Sequence, residues 1–192
     1  DQHLGRNTAL KLGFSEEEML VWNPFAFPMG GHTVEEIKAS KIILWKGHCS
    51  VHTRFSVQQI VQARSRYKDI NILVHPECTL EVVKAADYVG STEYIINMVN
   101  KAAKGTIWAI GTEISLVNRL ARINSDKTIF CLDPIVCPCS TMYRIHPAYL
   151  SWILDQLCND IVVNQITVEP EMKLQAKLSL DRMLALKSKG VD

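Results

Sequence analysis

ILVHPECTLEVVKAADYVGST, residues 72–92, decides the fold. Asn71, Ile72, Leu73 and Val74 form a short apolar run of the kind that makes a buried parallel strand. The run stops at His75-Pro76, because proline has no N–H to offer a sheet ladder. His75, Glu77 and Cys78 therefore fall just past the carboxyl end of a strand, where open α/β sheets bind ligands. Leu80, Val82, Val83 and Ala86 suit a short helix with Thr79 as its N-cap. Tyr88-Val89 reads as a minimal strand, and Gly90-Ser91-Thr92 opens another helix. Two strand-to-helix crossings this close together aim polar side chains at one rim. Ser91 and Thr92, with the free N–H groups behind them, can hold a carboxylate or phosphate there.

Outward from this stretch the alternation continues. Residues 41–45 read as a strand ending in the polar run KGHCSVH, residues 46–52. Residues 55–67 follow as a helix, with Val57, Ile60, Val61 and Arg64 at helical spacing. The helix after Thr92 carries Tyr94, Ile95, Met98 and Val99 and ends at Gly105. Residues 106–110 are the next strand, and Gly111-Thr112-Glu113 starts a helix over 114–122. Residues 127–132 are another strand, with Cys131 as core packing. A proline-rich loop over 133–142 leads to a helix begun by Pro147 and carrying Leu150, Ile153, Leu154 and Leu157 on one face. Residues 161–168 look strand-like. Residues 170–186 look like an amphipathic helix with Ala176, Leu180, Met183 and Leu184 facing inward. Upstream, residues 1–12 read as a loop entering a helix, and Ser15 to Glu18 and Thr33 to Glu36 each match a capping box. Between these boxes, residues 23–31 form a turn-rich excursion expected to pack its own phenylalanines. Strand and helix alternate almost throughout, which argues an α/β fold of short parallel sheets between helices.

At 192 residues the chain can bury a sizeable core. Its 21 Lys and Arg against 20 Asp and Glu leave a net charge of +1 with no basic stripe, which argues against a nucleic-acid partner. No apolar run approaches the ~18 residues of a membrane helix. Six cysteines, at 49, 78, 131, 137, 139 and 158, follow no disulfide framework. Thiolate ligands or buried thiols are the better expectation. The chain opens at Asp1 with neither signal- nor transit-peptide composition, and reads as the carboxyl part of a longer protein.

Four spaced motifs, WKGHCSVH (45–52), the 72–92 stretch, AIGTE (109–113) and CPCSTM (137–142), resemble the quinolinate synthase family, as does the opening DQHLGRN. The resemblance covers nearly the whole chain. It implies three similar α/β domains in a pseudo-threefold arrangement around a central cavity. On that reading residues 1–45 complete the middle domain and 46–132 form the third. Residues 133–192 supply a cluster-ligand loop and helices that return to a first domain lying upstream. The family condenses iminoaspartate with dihydroxyacetone phosphate to give quinolinate, the pyridine precursor of NAD. Its cavity holds a 4Fe–4S cluster on three cysteines, one per domain, leaving one iron open to substrate.

Carried over residue by residue, the resemblance makes Cys49 and Cys139 cluster ligands, with Cys137 second choice to Cys139 and the third ligand upstream. His52, His75, Glu77, Ser91 and Thr92 become substrate contacts. Glu77 is the proton shuttle, and His75 and His52 are hydrogen-bond donors to developing oxyanions. Cys78 is not a ligand position. Such a fragment should be inactive alone. A cytoplasmic or, with an upstream transit peptide, plastid location is implied, and docking with an L-aspartate oxidase would supply the unstable imine. Two other readings stay open from the residues themselves. One is a metal-free anion- or nucleotide-binding module using Gly90-Ser91-Thr92 and Gly111-Thr112-Glu113. The other is a structural zinc module on Cys137, Cys139 and a histidine.

Overall fold

The computed structural model describes residues 1–135 and 138–187. They divide into two compact units, Asp1–Tyr143 and Arg144–Asp192. The first contains two parallel sheets. A two-stranded sheet pairs β1 (Met19–Trp22) with β2 (Ile42–Trp45), Leu20 standing opposite Ile43. A four-stranded sheet has the order β4-β3-β5-β6, from β3 (Asn71–Val74), β4 (Tyr88–Val89), β5 (Ile107–Gly111) and β6 (Thr128–Cys131). Every pair in it is parallel. The α/β layering read from the sequence is what the structure shows.

Alternation along the strands builds two cores. Ile72 and Val74 of β3 and Ala109 of β5 pack with Ile60 and Ala63 of α3 (Val57–Arg66) and Val82 of α4 (Leu80–Ala85). Leu73, Trp108 and Ile110 point to the other face. They meet Ile95 and Val99 of α5 (Thr92–Lys101), and Val117 and Leu120 of α6 (Ile114–Ile123). Ile72, Leu73 and Val74 have no solvent exposure at all, and each such side chain contributes about 1.5–3 kcal/mol of burial. The continuous apolar run at 72–74 is thus a strand covered on both faces, as a parallel sheet requires.

The strand order carries a consequence for ligands. From β3 the chain goes to β4 on one side, then crosses to β5 on the other. The order therefore reverses between β3 and β5, and the loops leaving these two strands run to helices on opposite faces. A crevice at their carboxyl ends follows from the topology.

Several expectations need correction. The first twelve residues are helical almost from the start: α1 (Gln2–Lys11) is capped by the Asp1 carboxylate, which accepts from His3 and Leu4 N–H. The box at Ser15 is real, but it closes a single 3₁₀ turn, and the chain passes at once into β1, which the sequence reading missed. The Thr33 box does open a helix, α2 (Val34–Ala39). Thr79 is an N-cap by backbone position only; its side chain makes no cap bond. In α3 the buried residues are Ile60 and Ala63, whereas Val57 and Val61 are exposed. Phe25 and Phe27 do not pack on each other's loop but stand 93% and 97% exposed.

The second unit holds α7 (Pro147–Cys158), with Pro147 in its first turn and His146 accepting from Ala148 N–H, and α8 (Pro170–Lys187). The strand expected over 161–168 is absent: those residues lie outside every helix and strand. Leu180, Met183 and Leu184, expected to face inward, are all more than half exposed. Leu150, Leu154 and Leu157 on α7 are exposed as well. No helix among the described residues is long and apolar enough to cross a membrane.

Candidate active site at the sheet switch point

Three loops converge where the strand order reverses. The first follows β2 and carries Cys49 and His52, in a short 3₁₀ turn over His52–Arg54. The second is the His75-Pro76-Glu77-Cys78 turn after β3. The third is Thr112-Glu113 after β5. Val74 lies opposite Gly111 in the sheet register, and His75 N–H donates to Gly111 O at 3.1 Å. Thr112 therefore falls beside His75 on the same rim.

The Glu77 carboxylate lies at the edge of two stacked imidazoles. Its Oε2 is 2.7 Å from His52 Nδ1 and 3.7 Å from His75 Nδ1. The rings stack with centroids 4.5 Å apart and planes 21° from parallel. His52 Nε2 lies 3.2 Å from Thr112 Oγ1. The close contact between Nδ1 and Glu77 lies off the direction of a ring N–H. His52 Nδ1 is thus a buried polar atom with no well-aimed hydrogen-bond partner, despite the short distance. Burial lowers the pKa of both histidines, against the opposing pull of Glu77. For His75 the neighbouring His52 lowers it further. Both rings are neutral at pH 7 and can donate from one nitrogen while accepting at the other.

The rim is braced from the amino-terminal helix. Asn7, buried in α1, donates both Nδ2 protons into the His75–Cys78 turn, to Pro76 O at 2.8 Å and Cys78 O at 2.9 Å. Asp1 Oδ2 accepts from Cys49 N–H at 2.7 Å, and Gln2 N–H donates to Gly47 O at 2.8 Å. Thr53 closes the Cys49 turn through its N–H and hydroxyl, both on Cys49 O.

Of the expected site residues, the structure brings His52, His75, Glu77 and Cys49 into one cluster. Cys49, His52 and Glu77 each place a ligand atom within 4.8 Å of the others'. Cys139 is half-buried and packs against the same apolar cluster as Cys49. Its Sγ accepts from Met142 N–H at 3.5 Å and its carbonyl from Tyr143 N–H. Ser91 caps α5, its Oγ accepting from Tyr94 N–H at 3.3 Å. Ser91 and Thr92 are exposed beside the end of β3, where Gly90 N–H reaches Val74 O. Cys137 lies outside the described residues.

Cys78 is fully buried, its thiol directed at Gly111 O, and burial pushes its pKa up to about 12. Cys131 is likewise raised by burial. Neither thiol is set up as a ligand. Asn7 escaped the sequence reading as a site residue, and Thr112 entered it only through the alternative anion-binding module, not as a partner of His52. That place for Thr112 was within reach, since it follows β5 as His75 follows β3. Asn7 was not, because its partners are 69 and 71 residues away.

The sequence matches the family model described as quinolinate synthetase A protein over residues 1–185. The chain belongs to that family. It is 52% identical to the quinolinate synthase of Corynebacterium glutamicum over 186 residues, covering 97% of this chain and 47% of that protein. It is 54% identical to the quinolinate synthase of Herpetosiphon aurantiacus over 187 residues, 97% of this chain and 50% of that one. With that of Geobacillus thermodenitrificans the identity is 50% over 186 residues, again half of the relative. The chain spans about half the length of the quinolinate synthases it matches.

Proposed function

We propose that this chain supplies the histidine–glutamate rim and two cysteine ligands of a quinolinate synthase in NAD biosynthesis. The reaction joins iminoaspartate to dihydroxyacetone phosphate, with loss of phosphate and water and closure of the pyridine ring. Carbon–carbon bond formation, dehydration and cyclisation need protons moved between carbon, nitrogen and oxygen, and no net oxidation. The observation that carries the reading is Glu77 Oε2 beside the Nδ1 atoms of two stacked imidazoles, His52 and His75, at the sheet switch point, with Cys49 next to it. On this reading the first domain and the third cysteine ligand belong to the rest of the protein, which closes the central cavity; the enzyme works in the cytoplasm, and an aspartate oxidase delivers the imine.

The residues present fit a 4Fe–4S cluster as far as this chain can hold one. Cys49 and Cys139 are half-buried thiols against one core cluster, and Cys139 Sγ already receives a backbone N–H. When bound, the cluster supplies a Lewis-acidic iron that binds substrate oxygen and eases loss of hydroxide. Glu77 takes a proton from the carbon next to the new bond and returns it to a departing hydroxyl, tasks that its 25% exposed position in the crevice allows. His75 and His52 donate to developing oxyanions or to substrate carboxylates. The exposed hydroxyls of Ser91 and Thr92, at the positive end of α5, receive the phosphate and later a product carboxylate.

The test uses the complete protein, purified without oxygen. Glu77→Gln should keep the brown cluster absorbance and lose turnover. Cys49→Ser and Cys139→Ser should each lose the absorbance. Full activity in Glu77→Gln, or an intact cluster in either cysteine variant, overturns the assignment.

A further inference from the structure

Cys49, His52 and Glu77 offer one sulfur, one nitrogen and one oxygen donor within 4.8 Å of each other. That is a donor set for one metal ion. Zinc bound at ~2.0–2.3 Å in a tetrahedron keeps its ligand atoms ~3.3–3.8 Å apart. The thiolate need move only a little inward, and the His52–Glu77 contact of 2.7 Å need open slightly.

His52 is set up for this role. With the ring proton on Nε2, that nitrogen donates to Thr112 Oγ1, and the Nδ1 lone pair points into the cluster of donors. Nδ1 has no hydrogen-bond partner, and Glu77 Oε2 lies 2.7 Å from it. A cation held by both atoms supplies the partner that buried Nδ1 lacks.

The outer shell is complete. Thr112 orients His52, His75 stacks on its ring, Asp1 and Thr53 fix the Cys49 backbone, and Asn7 holds the Glu77 turn. Three protein ligands leave a fourth position for water, the pattern of open zinc sites. The mixed donors suit a borderline ion better than magnesium or calcium, which take oxygen alone.

We propose that Cys49, His52 and Glu77 form a mononuclear site for zinc or a zinc-like divalent ion, distinct from any cluster. Binding forms one Zn–S, one Zn–N and one Zn–O bond and releases the Cys49 thiol proton to solvent. Because Cys49 would serve both, zinc and cluster exclude each other; that exclusion, unlike the site itself, rests on the function proposed above. Zinc then acts as a block on cluster loading.

The test is a titration of the complete, iron-free protein with Co²⁺, followed by displacement with Zn²⁺. One equivalent of Co²⁺ should bring up the thiolate-to-cobalt charge-transfer absorption, and Zn²⁺ should abolish it. Cys139→Ser should retain the band, and Cys49→Ser should lose it. His52→Gln and Glu77→Gln should each weaken binding about tenfold or more. Circular dichroism confirms that every variant is folded, and Zn²⁺ should raise the melting temperature of the parent but not of Cys49→Ser. Loss of the band in Cys139→Ser, or unchanged affinity in both His52→Gln and Glu77→Gln, overturns the site. The function proposed above fails separately: Cys139→Ser that holds cobalt and also loads the cluster refutes the cluster ligand and leaves the zinc site standing.

Discussion

Asn7 and Cys78, 71 residues apart, are joined by a 2.9 Å hydrogen bond from Asn7 Nδ2 to the Cys78 carbonyl. The second Nδ2 proton goes to Pro76 O, so one amide spans the turn that presents Glu77. The first helix is therefore a brace for the site, and the brace runs through a single side chain.

Removing it leaves two carbonyls short of donors. Asn7→Ala should destabilise the fold by about 1–3 kcal/mol, the cost of leaving buried polar groups unpaired. Asn7 Oδ1 has no partner of its own, and its removal together with alanine's helix preference offsets part of that loss. Asn7→Asp should be worse than Asn7→Ala, because a carboxylate would face the same two carbonyls. Urea midpoints in the order parent, alanine, aspartate check this; aspartate ranking above alanine would refute it.

Cys78 gives a pH dependence with a defined sign. Its thiol pKa is about 12 in the fold, against an ordinary value of 9.0, with burial the main cause. A group raised on folding contributes its full stability below the unfolded pKa and loses it as pH climbs toward the folded one. Between pH 9 and 12 the unfolded chain ionises and the native one does not, so stability should fall by up to about 1.4 kcal/mol per pH unit. Cys78→Ala should flatten the slope of the urea midpoint above pH 9 relative to the parent, although it starts less stable. Equal slopes in the two proteins would show that the native thiol ionises normally. Under native conditions at pH 8, iodoacetamide should modify Cys158, which is exposed, and spare Cys78.

What the residues declare and what they conceal divide along the reach of the interactions involved. The 71–74 strand is legible because three apolar side chains in a row and a following proline are local signals. The capping boxes at Ser15 and Thr33 are equally local, yet only one opens an α-helix. Met19 to Trp22 is drawn into a ladder with Ile42–Trp45, and that pairing, twenty-three residues away, overrides the helical start at Ser15. Residues 161–168 show the converse, an apolar pattern that forms no strand. In the site, His75 and Glu77 could be placed on a rim from their position after a strand. That His52 stacks on His75 required the order β4-β3-β5-β6, which no local pattern encodes.

Asp87 joins β3 to α3, and its removal should be costly. One carboxylate oxygen accepts from Ile72 N–H at 2.8 Å, the other from Arg64 Nη2 at 2.8 Å. Ile72 has no exposure, so its N–H would lose a charge-assisted bond worth about 1.5–3 kcal/mol. Arg64 is 43% exposed and contributes little by itself. Asp87→Ala should therefore destabilise markedly, and Arg64→Ala by less than about 1 kcal/mol. Hydrogen exchange at Ile72 N–H should accelerate in Asp87→Ala far more than in Arg64→Ala; the reverse order would contradict this account.

Gly111 sets how closely β3 and β5 approach at the mouth of the crevice. A Cβ placed there would stand 2.9 Å from Val74 Cγ1, and Val74 is entirely buried with no room to retreat. Gly111→Ala should destabilise by about 1–3 kcal/mol through overpacking. Val74→Ala should also destabilise, by opening a cavity in the same place. The two errors have opposite sign in volume, so the double variant should be more stable than the sum of the singles, with a coupling of about 0.5 kcal/mol or more. A double-mutant cycle from urea unfolding measures that coupling directly. Strict additivity would mean that the strands part freely at Gly111, and that the spacing of the His75 and Thr112 loops is not held by this contact.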